Sequence, residues 1–554
     1  MSESQLIYVP LGGAGEIGMN AYLYGIGPEE RERFILVDLG VTFPDMDTTP
    51  GVDLILPDLS WLEARVDRLE AIFLTHGHED HIGAVARLYG RLNVPIYARP
   101  FTAHLVRLKL EDAGLDTGIV RPVSPWPEAV KVGPFTVGFA PMSHSIPESA
   151  GLVIDTPHGR VVHTGDFKLD QSPGVGEPFD ESAWAEIAAP GVQALICDST
   201  NVFSLHPGRS EAEIGPKIRD LILSAKGMVA ATTFASNLAR LRTLALAGQE
   251  AGRSVCILGR AMRRMITAGL DTGILAEFPP LVSPEDATEI PRQNLLLLTS
   301  GSQGERRAAT AQLSRGRYMG HEMKAGDLFL FSSKTIPGNE RSVLRIVNAL
   351  SEMGVDVVDD SSGDYHVSGH ANRPDLERFH RLIKPRMLVP MHGEHRHLRA
   401  HAALGQGAGI PGVVAPNGTI VALEGAAPQV VGHAETGRTY LDGSVLVGAF
   451  DGVVRDRIRM ALNGQATVTV LLEDDDVVGD PWCETIGLAE TGVSDAPVID
   501  LVEEDISQFL HRAAAKTLRD DDALDEALRR ITRKTLSDEL GKKPEVTVVI
   551  SRLS

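Results

Sequence analysis

The first two hundred residues alternate short, β-rich apolar runs with turns. The stretches "RFILVDLG", "EAIFLTHG", "FTVGFAPMSH", "GRVVHTGDF" and "VQALICDST" each place a polar or ligand-type residue directly after the apolar run. Buried strands that end in functional residues along one edge produce this pattern, because loops at strand ends carry chemistry. Between about Glu211 and Leu350 the pattern changes. Helical stretches "EAEIGPKIRDLILSAKG" and "NLARLRTLALAGQEAG" alternate with apolar strands "GMVAATTFA", "SVCILG", "NLLLLTSG" and "DLFLFSS". Such alternation predicts a parallel α/β unit inserted into the first. Strand and loop return at "RMLVPMHGE", "GVVAP" and "TIVALEG". A last unit begins near Asp451 and closes on helices and the strand "PEVTVVISRL". Its helix "DDALDEALRRITRKTL" carries one apolar face, which needs a partner surface in its own unit or elsewhere. The acidic run "LLEDDDVVGDP" reads as a solvated loop.

A chain of 554 residues exceeds one hydrophobic core, so about two to four domains are expected. Apolar content of 43% and charged content of 23% are ordinary for a soluble globular protein. No apolar run approaches the ~20 residues needed to span a bilayer. The start "MSESQLIYVP" lacks the basic and apolar regions of a secretory signal. Cys197, Cys256 and Cys483 lie far apart, which argues against a disulfide framework or thiolate zinc site and fits a reducing cytoplasm. The net charge of −21 lowers the expectation of a nucleic-acid partner without excluding it. Phosphate binding depends on local fields, and bound divalent metals offset acidic ligands.

"GAGEIG", Gly13 to Gly18, satisfies a dinucleotide-binding glycine pattern, with Asp38 following about twenty residues on. That motif requires a helix to open at the glycines. The residues that follow, "MNAYLYG", are strand-like instead. A tight strand-to-strand loop is the better reading.

The chemistry concentrates in "THGHEDH", which places His76, His78, Asp80 and His81 directly after an apolar run. Histidines at i and i+2 can point at one ion, with Gly77 expected to permit an unusual backbone turn. Asp80 and His81 then face a second direction, so two adjacent ions can be served. Imidazole and carboxylate suit Zn²⁺ or Mn²⁺, and catalytic sites keep an open position for water. Four residues do not fill two ions. The missing ligands are sought at later strand ends: His144 in "PMSHSIP", Asp166 in "HTGDFK" and His392 in "PMHGEH". His163 reads as structural, and His395 and His397 as the start of a helix.

These motifs resemble the successive metal motifs of the metallo-β-lactamase superfamily, and the intervening segment is similar to the β-CASP insertion of its nucleic-acid-processing branch. The stretches "PLGGAGEIGMN", "VDLGVTFPD", "GVDLILPDLSWL", "CDSTNV", "TTFASNLARL", "TSGSQGE", "SSKTIPGNE" and "HVSGHANRPDL" narrow the resemblance to the bacterial ribonuclease J family. It implies an α/β fold: a metallo-β-lactamase αββα sandwich, an inserted β-CASP α/β domain and a small α+β C-terminal domain. The expected boundaries are residues 1–207 and 371–450 for the lactamase parts, 208–370 for the insert and 451–554 for the C-terminal domain.

The resemblance also implies roles. His76, His78 and His144 would bind one ion, Asp80, His81 and His392 the other, and Asp166 would bridge them. Asp198 and His370 match acidic and histidine motifs of the insert family. A hydroxide activated by two metals would attack a backbone phosphorus, with Asp80 or Asp166 orienting it and His370 acting as general acid. Asp198 would orient a histidine from outside the ligand set. Ser300, Gly301, Ser302, Gln303, Ser332, Ser333, Lys334, His366, Ser368, Gly369 and His370 lie in loops suited to cradle phosphate through backbone N–H groups. Implied, then, is a cytoplasmic 5′-to-3′ exonuclease and endonuclease acting on single-stranded RNA with a 5′-monophosphate, in mRNA decay and rRNA maturation. Two divalent ions would serve it, Zn²⁺ foremost, with Mn²⁺ or Mg²⁺ as alternatives. A homodimer or homotetramer, RNA-degradation partners and no membrane association are expected. A DNA-directed nuclease, or a thioester or lactone hydrolase on the same metal scaffold, are the competing readings.

Overall fold

A computed structural model describes residues 4–473 and 476–553. The chain forms two compact units, one running to Thr42 and then over Leu56–Gly437, the other comprising Phe43–Ile55 and the chain from Arg438 onward.

The larger unit holds three main sheets. The first has eight strands, in the order Gln429–His433, Thr419–Ala422, Gln5–Gly12, Ala21–Gly27, Arg33–Val37, Leu69–Leu74, Ile96–Ala98, Val120–Pro122. The second has six, in the order Met387–Met391, Ala194–Asp198, Gly159–His163, Ala150–Thr156, Phe135–Pro141, Ala129–Val132. Their inner faces share one core, in which Tyr8, Tyr24 and Phe73 of the first meet Phe139, Ile154, Ile196 and Val389 of the second. The outer face of the second sheet packs Val162, Leu195 and Leu388 against Trp184 and Ile187 of helix Glu181–Ala188 and Phe379 of helix Arg373–Ile383. Helix Pro100–Asp112 packs against strands Ile96–Ala98 and Val120–Pro122 of the first sheet. Central strands covered on both faces are the reason their sequences read as continuous apolar runs rather than alternating ones.

The third sheet is wholly parallel, in the order Leu281–Val282, Ser254–Leu258, Leu295–Thr299, Val229–Thr232, Leu328–Phe331, Asp356–Val358. Thr232 aligns with both Thr299 and Phe331. The loops after these three strands therefore leave the sheet at one edge, where parallel α/β sheets place their binding groups.

In the smaller unit, strand Gln465–Glu473 pairs in parallel with Glu545–Leu553 and antiparallel with Trp482–Ile486. Leu524, Leu528 and Leu536 of helix Asp521–Leu540 join Val502, Ile506, Val468 and Val470 in a core. The apolar face of that helix is thus covered within its own unit. Among the described residues, no helix is long and apolar enough to cross a membrane.

Three local expectations need correction or completion. "GVVAP" is not a strand: Gly412 makes one isolated bridge to Leu388. The acidic run is not wholly loop. Its start belongs to strand Gln465–Glu473, and Asp476–Val477 turns back to pair with it. Residues 474–475 lie outside the described residues. "GAGEIG" does join two antiparallel strands, Gln5–Gly12 and Ala21–Gly27, with Gly13, Gly15 and Gly18 at positive φ. No helix opens there.

Candidate metal centre

The ligand-type residues sit where strands of the first and second sheets end. His76 and His78 follow strand Leu69–Leu74, and Asp80 and His81 lie in the short helix Glu79–Ile82. His144 follows Phe135–Pro141, Asp166 follows Gly159–His163, and His392 follows Met387–Met391. His392 adopts a left-handed φ of 49°, and Asp38, after Arg33–Val37, one of 61°.

Two groups of donors converge. In the first, His76 Nε2 and His144 Nε2 lie 3.0 and 3.1 Å from His78 Nδ1, and both lie 3.8 Å from Asp166 Oδ2. In the second, His81 Nε2 lies 3.2 Å from Asp166 Oδ2 and 3.5 Å from Asp80 Oδ2, which in turn lies 3.2 Å from His392 Nε2. Asp166 belongs to both groups. Its Oδ1 is buried and makes no hydrogen bond, though it lies 3.2 Å from His392 Nδ1. Three imidazole nitrogens aimed at one point, beside the buried Asp166 Oδ2 that the second group also approaches, are a donor set fitted to a divalent cation.

The outer nitrogen of each imidazole is held. Thr75 Oγ1 lies 3.0 Å from His76 Nδ1, Ser236 Oγ 3.0 Å from His78 Nε2, and the Gly369 carbonyl oxygen 2.6 Å from His144 Nδ1. Asp38 Oδ2 lies 2.7 Å from His81 Nδ1, and Thr200 Oγ1 2.9 Å from His392 Nδ1. Partners of this kind fix which nitrogen is free to bind metal. Asn20 adds a further contact. Its Oδ1 accepts from Tyr22 at 2.7 Å, which turns Nδ2 toward the Asp80 carbonyl oxygen at 2.9 Å and His81 Nε2 at 3.0 Å.

Charge is divided unevenly. Burial, with neighbouring imidazoles adding to it, pulls His76 and His144 well below the usual histidine range, and burial lowers His78 to about 4. These three rings are neutral and offer lone pairs. Burial would lower His81 and His392 as well, but the Asp166 carboxylate and its neighbours outweigh it, and His392 rises to about 10. Burial likewise opposes the charge on Asp80 and Asp166, yet His81 and His392 hold both carboxyls below their usual range.

His370 stands beside this centre. Its Nδ1 lies 2.8 Å from Asp198 Oδ2, and its ring stacks on His392 at 5.6 Å between centroids. Burial works against protonation of His370, but the Asp198 charge and hydrogen bond prevail and raise its pKa. Asp198 Oδ1 accepts from Thr200 N at 2.9 Å and Thr200 Oγ1 at 2.7 Å. Asn201 Nδ2 ties the His370 loop down through Ser368 Oγ at 2.8 Å.

The phosphate-loop residues follow the third sheet. Ser300, Gly301, Ser302 and Gln303 follow Leu295–Thr299, while Ser332, Ser333 and Lys334 follow Leu328–Phe331. Gln303 Nε2 donates to the Lys334 carbonyl oxygen at 3.0 Å, bridging the two loops. The Ser332 hydroxyl is engaged internally, donating to the Tyr365 carbonyl oxygen and accepting from the buried Arg240. Gly369 uses its carbonyl on His144. His366 is held well below the usual range by burial and by the nearby cations Arg240, Lys334, Lys168 and Arg209. Lys334 is exposed.

Gly77 makes no left-handed turn, and the space beside it is bounded by the tips of Leu105 and Ile146. Its φ is not positive, and a Cβ would lie 2.6 Å from Leu105 Cδ1. His163 is structural, with its Nδ1 2.9 Å from Tyr24 Oη, and His395 opens helix His395–Gly407, which contains His397. The sequence reading passed over Asp38 except as a dinucleotide acid, and missed Asn20, Thr75, Thr200 and Ser236. Thr75 and Thr200 adjoin motif residues, a signal that adjacency carries. Asn20 and Ser236 announce nothing by themselves.

Similarity to known proteins agrees with this architecture. The profile of the metallo-beta-lactamase superfamily matches residues 15–204, and that of the ribonuclease J beta-CASP domain matches residues 226–350. A Zn-dependent metallo-hydrolase RNA specificity domain matches residues 363–416, and the ribonuclease J C-terminal domain residues 452–553. A ribonuclease J of Sinorhizobium meliloti is 40% identical over 100% of this chain and 98% of its own length. A ribonuclease J of Mycolicibacterium smegmatis is 35% identical over 98% of this chain and 96% of its own.

Proposed function

Because this chain belongs to the ribonuclease J family of metal-dependent ribonucleases, we propose that it degrades single-stranded RNA from 5′-monophosphate ends, 5′ to 3′, and also cleaves internally. RNA hydrolysis itself follows from membership. A thioester or lactone hydrolase is not favoured, since full-length relatives are ribonucleases.

The observation that carries the proposal is the pair of donor groups sharing Asp166. His76, His78 and His144 would hold one ion, and Asp80, His81 and His392 the other. Bound there, divalent ions would supply Lewis acidity toward water and the phosphoryl oxygens. Zn²⁺ is the ion proposed, with Mn²⁺ and Mg²⁺ as competitors. Asp80 and Asp166 orient the attacking water through their lone pairs. His370 hydrogen-bonds Asp198 through Nδ1, which leaves Nε2 to protonate the departing 3′-oxygen. Asp198 positions that ring.

The loops from Ser300 to Gln303 and Ser332 to Lys334, with His366, Ser368 and Gly369, receive the RNA backbone. Of the cations near His366, Arg240 and Lys168 are paired with Glu211 and Asp170, which leaves Lys334 and Arg209 to attract phosphate there. The same reading includes the domain boundaries after residues 207, 370 and 450, and a homodimer or homotetramer. It also includes RNA-degradation partners and a cytoplasmic location, which the free, buried cysteines suit.

One RNA bearing a 5′-monophosphate, 5′-triphosphate or 5′-hydroxyl, beside matching DNA, tests the proposal with metal-loaded protein and Asp80→Ala. Mononucleotides released foremost from the monophosphorylated RNA, and absent with the variant, are expected. Equal cleavage of DNA, or indifference to the 5′ end, would overturn the specificity.

A further inference from the structure

The two halves of the metal centre are supported from different parts of the fold. His81 and His392 have their outer nitrogens held by Asp38 and Thr200, which follow strands of the two lactamase sheets. His76 is held by its neighbour Thr75. His78 is held from the third sheet instead. Its outer nitrogen, Nε2, meets Ser236 Oγ at 3.0 Å across a separation of 158 residues. Ser236 follows strand Val229–Thr232 of the third sheet and precedes helix Leu238–Glu250. His144 is also held from beyond the third sheet, through the Gly369 carbonyl.

We propose that Ser236 is a positioning residue for the ion bound by His76, His78 and His144, and that it couples the placement of the third-sheet domain to the affinity of that ion alone. The inference deepens the dinuclear reading and rests on it.

The argument begins with the His78 tautomer. Nδ1 faces His76 Nε2 and His144 Nε2 at 3.0 and 3.1 Å, so Nδ1 is the ligand atom and must carry a lone pair. An imidazole that offers its Nδ1 lone pair carries its proton on Nε2, the nitrogen that faces Ser236 Oγ. Nε2–H therefore donates, and the Ser236 hydroxyl accepts. A methyl group there cannot accept. The imidazole would then be free to exchange tautomers or rotate, and its lone pair would lose its fixed aim.

Ser236 is itself well anchored, which is what makes the bond directional. The next residue, Asn237, caps helix Leu238–Glu250 by accepting from Arg240 N at 2.9 Å. Thr233 Oγ1 donates to the Ser332 carbonyl oxygen at 3.0 Å. Arg240, fully buried, pairs with Glu211 at 2.6 Å and donates to Ser332 and Tyr365. The loop that presents Ser236 is thus tied into the loops proposed to receive RNA. Linkage is reciprocal: if the docked loop strengthens the ion, the ion strengthens the docking. Loss of one partner outside the ligand set typically weakens a metal by about 10–100-fold.

The test is Mn²⁺ and Zn²⁺ titration against a competing chelator in the full chain, for wild type, Ser236→Ala and Ser236→Thr. Amide hydrogen exchange over residues 233–238 is followed with and without metal. The expectation is two ions in wild type, one of them about 10–100-fold weaker in Ser236→Ala, and recovery in Ser236→Thr, which keeps the hydroxyl. Metal should protect residues 233–238 in wild type and do so less in Ser236→Ala. Wild-type affinity at both sites in Ser236→Ala would overturn the inference and leave the dinuclear reading standing. So would equal weakening of both ions, which signals general disruption. Fewer than two ions in wild type would overturn both.

Discussion

Replacing Asp38 by asparagine isolates one hydrogen bond behind the metal centre. Asp38 is fully buried and accepts three bonds: from Thr75 N at 2.8 Å, Thr75 Oγ1 at 2.8 Å and His81 Nδ1 at 2.7 Å. Asparagine matches its shape and tolerates the left-handed backbone at this position. Its Oδ1 can still accept from Thr75 N. Its Nδ2, however, faces the His81 Nδ1–H, and two donors cannot satisfy each other. His81 must then move its proton to Nε2, the nitrogen that lies 3.2 Å from Asp166, or rotate away. Either response removes the lone pair from the second ion. The loss should be about 10–100-fold in affinity, or roughly 1.4–2.7 kcal/mol, for that ion only. Chelator-competition titration with ion counting measures it, and a thermal melt checks that the fold survives. Combined with Ser236→Ala, the two losses should fall on different ions and add. Unchanged affinity for both ions would refute the reasoning. So would loss confined to the ion that Ser236→Ala weakens.

His370→Gln should retain two ions while lowering kcat about 10²–10⁴-fold, as expected for a lost general acid; near-normal turnover with metal content verified would remove that role. In Gly40→Ala the added Cβ would overlap the Asp80 carbonyl oxygen, and the variant should lose about 1–3 kcal/mol or more in denaturant unfolding together with the second ion. Arg240→Met leaves Glu211 buried and unpaired, so about 3–5 kcal/mol should be lost, and Glu211→Leu added to it should recover much of that. His380 is lowered from 6.5 to about 4, by burial first and Arg381 second. Stability from this group is complete above pH 6.5 and declines as pH falls toward 4, by up to about 3 kcal/mol, because only the unfolded chain takes up the proton. Urea midpoints across that window should fall less steeply for His380→Asn, and parallel slopes would contradict the assignment.

Much of the site was legible because its ligands announce themselves by type and place. Three histidines and two acids within six residues have few structural uses, and His144, Asp166 and His392 each follow an apolar run that forms a strand. The third sheet was legible for a similar reason, since its four inner strands are buried and read as uninterrupted apolar runs. "GVVAP" looked the same and failed, because after Pro411 the segment makes one bridge, to Leu388, and no ladder. The acidic run failed in the other direction. Its charged residues hide a strand whose inward side chains, Val468, Val470 and Leu472, lie before the acids.

What the residues alone determined was the chemistry available: neutral imidazoles and carboxylates, in numbers sufficient for two ions, at the ends of strands bound to be buried. Local pattern carries that information because strand burial depends on neighbours two residues apart. Tertiary structure alone decided which nitrogen of each histidine faces inward. That choice rests on Asp38, Ser236 and Thr200, which lie 43, 158 and 192 residues from the rings they hold. A serine or threonine at such a distance has no spacing to betray it. Only when the sheets pack does its oxygen arrive within hydrogen-bond reach, and a hydrogen bond is directional enough to turn available ligands into a defined centre.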